Sequence, residues 1–152
     1  MIEKITMPNT SKKALIDEKF VTLVSKYSWH LHPAGYAMAK VNKKTVYLHR
    51  LILKAKEGQQ VDHKNSDGLD NRLCNLRLCT YSQNNSHVGK KPRNSSGYKG
   101  VSWSKKLRKW RAQIAHNKKY YHLGYFNSKL CAANEYDKAA KKYHGEFAYL
   151  NN

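Results

Sequence analysis

The stretch Val61-Asp62-His63-Lys64-Asn65, taken with Asn75-Leu76-Arg77-Leu78 and Thr80-Tyr81-Ser82-Gln83-Asn84-Asn85, decides how the rest of the sequence is read. Asp62 and His63 are neighbours, Asn75 follows His63 by twelve residues, and Asn84 follows Asn75 by nine. A carboxylate, an imidazole and two carboxamides at this spacing can hold one hard metal ion and activate one water. Local signals place them on a short unit. Val61-Asp62-His63 reads as a brief strand, and Asn65–Asn71 is turn-rich with Asp67-Gly68 as its tightest point. Leu76–Cys79 alternates like a half-buried strand, and Thr80 or Ser82 can N-cap a helix beginning near Tyr81–Gln83. Neighbours on a regular strand point to opposite faces, so Asp62 and His63 converge only where the strand ends or twists.

The 152 residues suffice for one ordinary domain or two small ones. Lys and Arg number 29 against 10 Asp and Glu, a net charge of +19. Such an excess points to a polyanionic partner, because neutralising phosphates releases condensed counterions. A membrane surface is the rival, but the sequence has no apolar run near 18 residues and no basic amphipathic anchor. The N-terminus has no apolar signal core. Cys74, Cys79 and Cys131 cannot all pair within one chain, which fits free thiols in a reducing cytoplasm. Cys74 and Cys79 lack the second ligand pair of a zinc finger.

Outward from the central stretch, residues 1–48 read as short strands, with Phe20–Val24 open to strand or helical turn. Tyr36–Val41 and Thr45–Leu48 flank Asn42-Lys43-Lys44 as a hairpin. His49–Ala55 has helical propensity, with Gly58 as its C-cap. Residues 88–97 carry Gly, Pro, Ser and charge but no aliphatic after Val88, the pattern of a linker. Beyond it, Gly100–Ser104, Trp110–Ala115 and Tyr120–Tyr125 read as three strands, with Asn117-Lys118-Lys119 as a turn. Ser128 caps a helix through His144 whose stripe is Ala132/Ala133, Tyr136, Ala139/Ala140 and Tyr143. A three-stranded sheet alone is marginal, so that stripe packs on its apolar face and leaves a basic face outside. The basic charge is uneven, with 14 Lys and Arg against 7 acids up to Gly89 and 15 against 3 from Lys90 on.

Phosphodiester hydrolysis needs a nucleophilic water and charge compensation on the leaving oxygen. Asp62 and Asn84 offer oxygen ligands to a single Mg²⁺ or Mn²⁺ ion, and a neutral His63 can accept a proton from water. Asn75 suits fixing the imidazole or the intervening loop. The bland alternative stays open on these residues alone: Asp62 and Asn65 cap a turn, His63 lies on the surface, and Asn84-Asn85 end a helix.

Tyr47-Leu48-His49-Arg50-Leu51-Ile52, Val61–Gly68, Asp70-Asn71-Arg72, Asn75-Leu76-Arg77 and Ser82–Asn85 together resemble the His-Asn-His (HNH) homing endonucleases of the phage and prophage branch. The resemblance covers residues 13–88 and implies a β-β-α-metal nuclease core. It implies His63 as general base, Asp62 and Asn84 as metal ligands and Asn75 as the structural asparagine. Asn84 stands where many members have a final histidine. For Arg50, holding the scissile phosphate and forming a buried structural pair are both open.

Gly97–Val101, Trp110–Ile114, Leu123–Phe126, Ala132–Ala140 and Gly145–Asn151 resemble the plant APETALA/ethylene-response DNA-binding domain. That family lays a three-stranded sheet in the major groove. Carried over by position, Lys99, Ser102, Ser104, Arg111, Gln113, His116 and Tyr121 are expected on or near the DNA face. Arg111 and Gln113 are suited to guanine and adenine edges. Lys105, Arg108 and neighbouring lysines are suited to phosphates. The plant domain has arginines near Ser102 and Ser104 and a tryptophan near Tyr121, so its target preference does not transfer.

The sequence therefore sets up an α+β protein: a nuclease domain with N-terminal strands (1–88), a basic linker (89–97) and a sheet-on-helix DNA-binding domain (98–152). The expected activity is metal-dependent endonuclease cleavage of double-stranded DNA by a cytoplasmic monomer, which would nick. A non-catalytic DNA-binding regulator and an RNA-binding protein are the rival classes.

Overall fold

The computed structural model describes residues 1–90 and 93–151. Lys91 and Pro92, within the expected linker, and Asn152, the last residue of the expected second domain, lie outside the described residues. The fold class is α+β, and the chain divides into two compact units, Met1–Thr80 and Tyr81–Asn152.

In the first unit, β1 (Ile2–Met7) and β2 (Thr10–Asp17) form an antiparallel hairpin. Inward alternation buries Ala14 and Ile16 of β2 completely. The ambiguous Phe20–Val24 run resolves as a helical turn, α1 (Val21–Val24), with Val24 in the core. Strands β3 (His30–Leu31), β4 (Ala37–Val41) and β5 (Lys44–Tyr47) make a second antiparallel sheet in sequence order. The β4–β5 turn is tighter than the sequence implied. Val41 pairs with Lys44, so the turn is Asn42-Lys43 alone, both with positive φ (47° and 64°). That is the mirror-image turn that matches the twist of a hairpin.

Helix α2 (Leu48–Ile52) is shorter than the expected His49–Ala55. Lys54 turns to φ 50°, and the Arg50 guanidinium donates to the carbonyls of Gln59 (2.6 Å), Lys56 (2.9 Å) and Ala55 (3.5 Å). An arginine bound to the returning loop ends the helix before Gly58 can cap it. Strands β6 (Gln60–His63) and β7 (Leu76–Cys79) then pair antiparallel around the turn-rich loop. The core of this unit gathers Met7, Ile16, Val24, Trp29, Leu48 and Leu76, so both sides of the β6–β7 loop are anchored to it.

The second unit opens with α3 (Tyr81–His87). Strands β8 (Val101–Ser104), β9 (Lys109–His116) and β10 (Lys119–Phe126) form an antiparallel sheet with β9 central. Asn117-Lys118 repeats the two-residue positive-φ turn. Helix α4 (Lys129–His144) is N-capped by Ser128, whose hydroxyl accepts from the Leu130 amide at 3.2 Å. Its alanine and tyrosine stripe packs on Val101, Ala112 and Ile114, as the periodicity required. Small side chains let helix and sheet approach closely. A Cβ at Gly100 (φ 76°) would fall 2.1 Å from the Tyr136 ring and 2.6 Å from the Gln113 carbonyl. Asp137, buried on α4, accepts from the Asn151 backbone (2.9 Å) and side chain (3.0 Å), and Asn151 in turn binds Lys99 N and O. This ties the C-terminal segment to the entry of the sheet.

Candidate active site

The loop between β6 and β7 is built almost entirely from its own polar side chains. Asp67 Oδ1 accepts from Leu69 N (2.9 Å), and Asn65 Oδ1 accepts from Asp67 N (2.9 Å), the local turns that Asp and Asn favour. Gly68 is required by closeness, since a Cβ there would lie 2.6 Å from the Gly35 carbonyl and 2.7 Å from the Tyr36 ring. Asn75 spans the loop: its Oδ1 accepts from Asn65 N at 3.0 Å, and its Nδ2 donates to Asp70 O at 2.7 Å. Asp70, itself buried, takes both Arg72 nitrogens (2.7 and 2.6 Å) and Asn65 Nδ2 (2.9 Å). The Arg72 hydrogen bonds hold the Asp70 carboxyl below the usual carboxylate range. The loop is pinned from outside by Leu15, whose N and O pair with Leu69 O and Asn71 N, and by Asp17, which accepts from Leu73 N.

This frame holds His63. The residue is 5 % exposed, and its Nε2 lies 3.4 Å from Asn71 Oδ1. Asn71 Nδ2 donates to Leu69 O at 3.0 Å, which fixes the carboxamide with its oxygen toward the ring. An acceptor at that position requires the proton on Nε2, so Nδ1 of the neutral ring keeps its lone pair. Burial, the dominant influence, pushes His63 below the ordinary histidine value, against Asn71, Asp62, Asp67 and Asp70. Tyr36 stacks on His63 (centroids 5.8 Å, 29°), and His49 meets it edge-on (5.1 Å, 79°). His49 is 9 % exposed and pushed down to about 3 by burial, and its Nδ1 has no hydrogen-bond partner among the described residues.

Strand alternation sends Asp62 and His63 to different partners. Asp62 pairs in register with Arg77, whose Nε and NH2 each reach Asp62 Oδ2 at 2.7 Å, while His63 registers with Leu76. Asn75 and His63 share the loop, and the Arg50 guanidinium is hydrogen-bonded to the carbonyls that follow α2. Asn84 lies half-buried on α3 in the second unit. Asn71, Arg77, Tyr36 and His49 were missed as site residues. Asn71 and Arg77 stood inside the quoted Asp70-Asn71-Arg72 and Asn75-Leu76-Arg77 segments, and the register of a β6–β7 pair would have matched Arg77 with Asp62.

No group of three His, Cys, Asp or Glu side chains able to hold a metal occurs among the described residues. A carboxylate and a carboxamide oxygen suit a hard divalent ion that keeps several of its waters.

In the second unit the sheet sorts the expected DNA-face residues. Ser102 pairs with Arg111, Ser104 with Lys109 and Gln113 with His122, all on the face away from α4. Lys105 and Arg108 are exposed in the β8–β9 turn. Three expectations are corrected. Tyr121 pairs with the buried Ile114 and stacks on Tyr143 of α4 (5.1 Å, 20°), so it faces the helix. His116 shares that side, against Tyr143 (5.3 Å) and His144 (5.8 Å). The Lys99 ammonium donates to the carbonyls of Ser86 (2.7 Å) and Asn85 (3.4 Å) in the last turn of α3 and of Val88 just after it, and burial pushes it down to about 8. The outer positions on β10 are Tyr120, His122 and Tyr125.

A family profile of HNH endonucleases matches residues 46–86, the span from β5 through α3. Protein 3.8 of Escherichia phage T7 is 30 % identical over 92 residues, covering 60 % of this chain and 75 % of that protein. An uncharacterised HNH endonuclease of Acanthamoeba polyphaga mimivirus is 31 % identical over 137 residues, covering 85 % of this chain and 69 % of the viral one. No solved structure matches significantly. With His63 and Asn75 framing a β-loop-β unit inside the matched span, the chain belongs to the HNH endonuclease family.

Proposed function

We propose that the chain is a metal-dependent DNA endonuclease whose first part cuts and whose last part chooses where. The observation that carries this reading is the buried hydrogen bond between His63 Nε2 and Asn71 Oδ1. The ring's Nε2–H is engaged by Asn71, its Nδ1 keeps a lone pair, and burial favours the neutral ring at cellular pH. In this mechanism Nδ1 takes the proton from the attacking water. Asn71 and the Tyr36 stack hold the ring, and Asn75 keeps the loop from relaxing. Asp62 and Asn84 are the residues that would hold one Mg²⁺ or Mn²⁺ ion. Asn84 is assigned by its place in the motif and Asp62 by its carboxylate. Such an ion supplies charge compensation at the phosphate and a more acidic water. Arg50 supports the site through the loop it closes.

The division into a nuclease domain (1–88), a linker (89–97) and a DNA-binding domain (98–152) belongs to the same proposal. So does the APETALA/ethylene-response character of the last. It is supported by the exposed outer face bearing Arg111 and Gln113, and by the dense positive charge beyond Lys90. No helix among the described residues is long and apolar enough to cross a membrane. A single cluster acting as a monomer meets one strand, so nicking is the expected product.

The test is supercoiled plasmid DNA incubated with Mg²⁺, with Mn²⁺ or with EDTA, beside His63→Ala. Nicking that needs a divalent ion and falls by roughly 10²–10⁴ in the variant supports the reading. DNA retention without cleavage in any divalent ion would leave a non-catalytic DNA-binding regulator instead.

A further inference from the structure

The second unit contains a cavity of about 690 Å³ lined by residues of β8, β9 and β10 and by the segment at and after the end of α3. Its lining includes Ser102, Gln113, Tyr120, Lys90 and Arg93. Three features of this lining point in one direction. Tyr120 pairs with Ala115 on the outer sheet face and leaves 76 % of its surface in solvent, a large aromatic that no core residue covers. Gln113, on the same face, carries one hydrogen-bond donor group and one acceptor in a single planar carboxamide. The Ser102 hydroxyl adds a second adaptable group. Lys90 and Arg93 are exposed cations, the Lys90 ammonium resting 3.0 Å from the Gly97 carbonyl.

A concave site of this volume with an aromatic wall, a planar amide and exposed cations in its lining has the makings of a nucleotide site. A base held in a duplex cannot enter a cavity, because its edges are paired and its faces stacked. One that has left the stack can. We propose that this cavity takes a single unpaired nucleotide. The base stacks on Tyr120 with its edge toward Gln113 and Ser102, and its phosphate lies toward Lys90 and Arg93. The second unit would then recognise a distorted or looped-out position in DNA as well as the groove. The proposal rests on the reading of this unit as the DNA-binding part.

The experiment is fluorescence anisotropy of the full chain in EDTA with a labelled matched duplex and the same duplex carrying one bulged base. The bulged duplex should bind about tenfold more tightly, the range of one base stacked on an aromatic ring. Tyr120→Ala should bring the affinity for the bulged duplex down to that for the matched one, and Tyr120→Phe should keep the preference. Because Tyr120 is exposed, neither change threatens the fold. Equal affinity for the two duplexes, or a preference that survives Tyr120→Ala, overturns the nucleotide site alone. Failure to bind either duplex overturns it together with the DNA-binding reading beneath it.

Discussion

The first unit buries His49, Asp62, His63, Asp70, Asn71 and Asn75, whereas among the described residues of the second only Ser96 and Asp137 are buried polar groups. The second unit's interior is instead alanine, valine, isoleucine and aromatic rings, and its polar chemistry lies outside on a sheet face. Interior polar groups are costly unless every one is satisfied, so a unit that keeps so many is organised around holding them in place. A unit that keeps almost none can present an outer face whose residues change without disturbing the fold. Chemistry by buried, positioned groups and recognition by exposed ones are what that difference would serve.

The contrast can be broken first in the apolar interior. Tyr136→Ala removes a ring that is 2 % exposed and packed against Gly100, and should destabilise the second unit by about 3–5 kcal/mol in urea unfolding. A change below 1 kcal/mol would mean the helix does not anchor the sheet. In the polar interior, Asn75→Ala deletes one acceptor and one donor from the loop and should cost about 2–3 kcal/mol. It should also lower cleavage by more than DNA binding, since the loop frames His63.

A gentler probe uses pH. His49 is pushed down to about 3 by burial, so below the ordinary value near 6.5 the unfolded chain takes up a proton that the folded chain refuses. Stability contributed by the neutral ring is therefore complete above pH 6.5 and lost progressively as pH falls toward 3. The limiting slope is about 1.4 kcal/mol per pH unit. Urea unfolding between pH 7 and 4.5 should approach at least that slope, since burial also pushes His63 and His144 down, and His49→Phe should reduce it. An unchanged slope in the variant would place the burden on other groups.

Much of this was legible in the sequence wherever the signal is local. The Asn-Lys turns, the β6 and β7 strands, the Ser128 cap and the alanine-tyrosine stripe each depend on neighbours within a few residues. What escaped depends on register or on distant partners. Tyr121 and His116 were put on the DNA face by position in a family pattern. A two-residue turn fixes the strand parity that sends both to α4. Lys99 was put on or near the DNA face by the same family pattern, and only the return of the chain past α3 gives its ammonium three carbonyls. The Tyr36–His49–His63 cluster joins the residue before β4, α2 and β6, and no spacing along the chain encodes it.

The division of labour itself is tested by crossing two exposed-face and one buried-site changes in a single assay series. Cleavage and binding of one DNA substrate are measured for His63→Ala and for the double variant Arg111→Ala, Gln113→Ala. The account predicts that His63→Ala loses cleavage and retains binding. It predicts that the double variant loses about 1–3 kcal/mol of binding per base contact yet still cleaves at saturating protein. Loss of binding in His63→Ala equal to that in the double variant, or undiminished cleavage by His63→Ala, would contradict it.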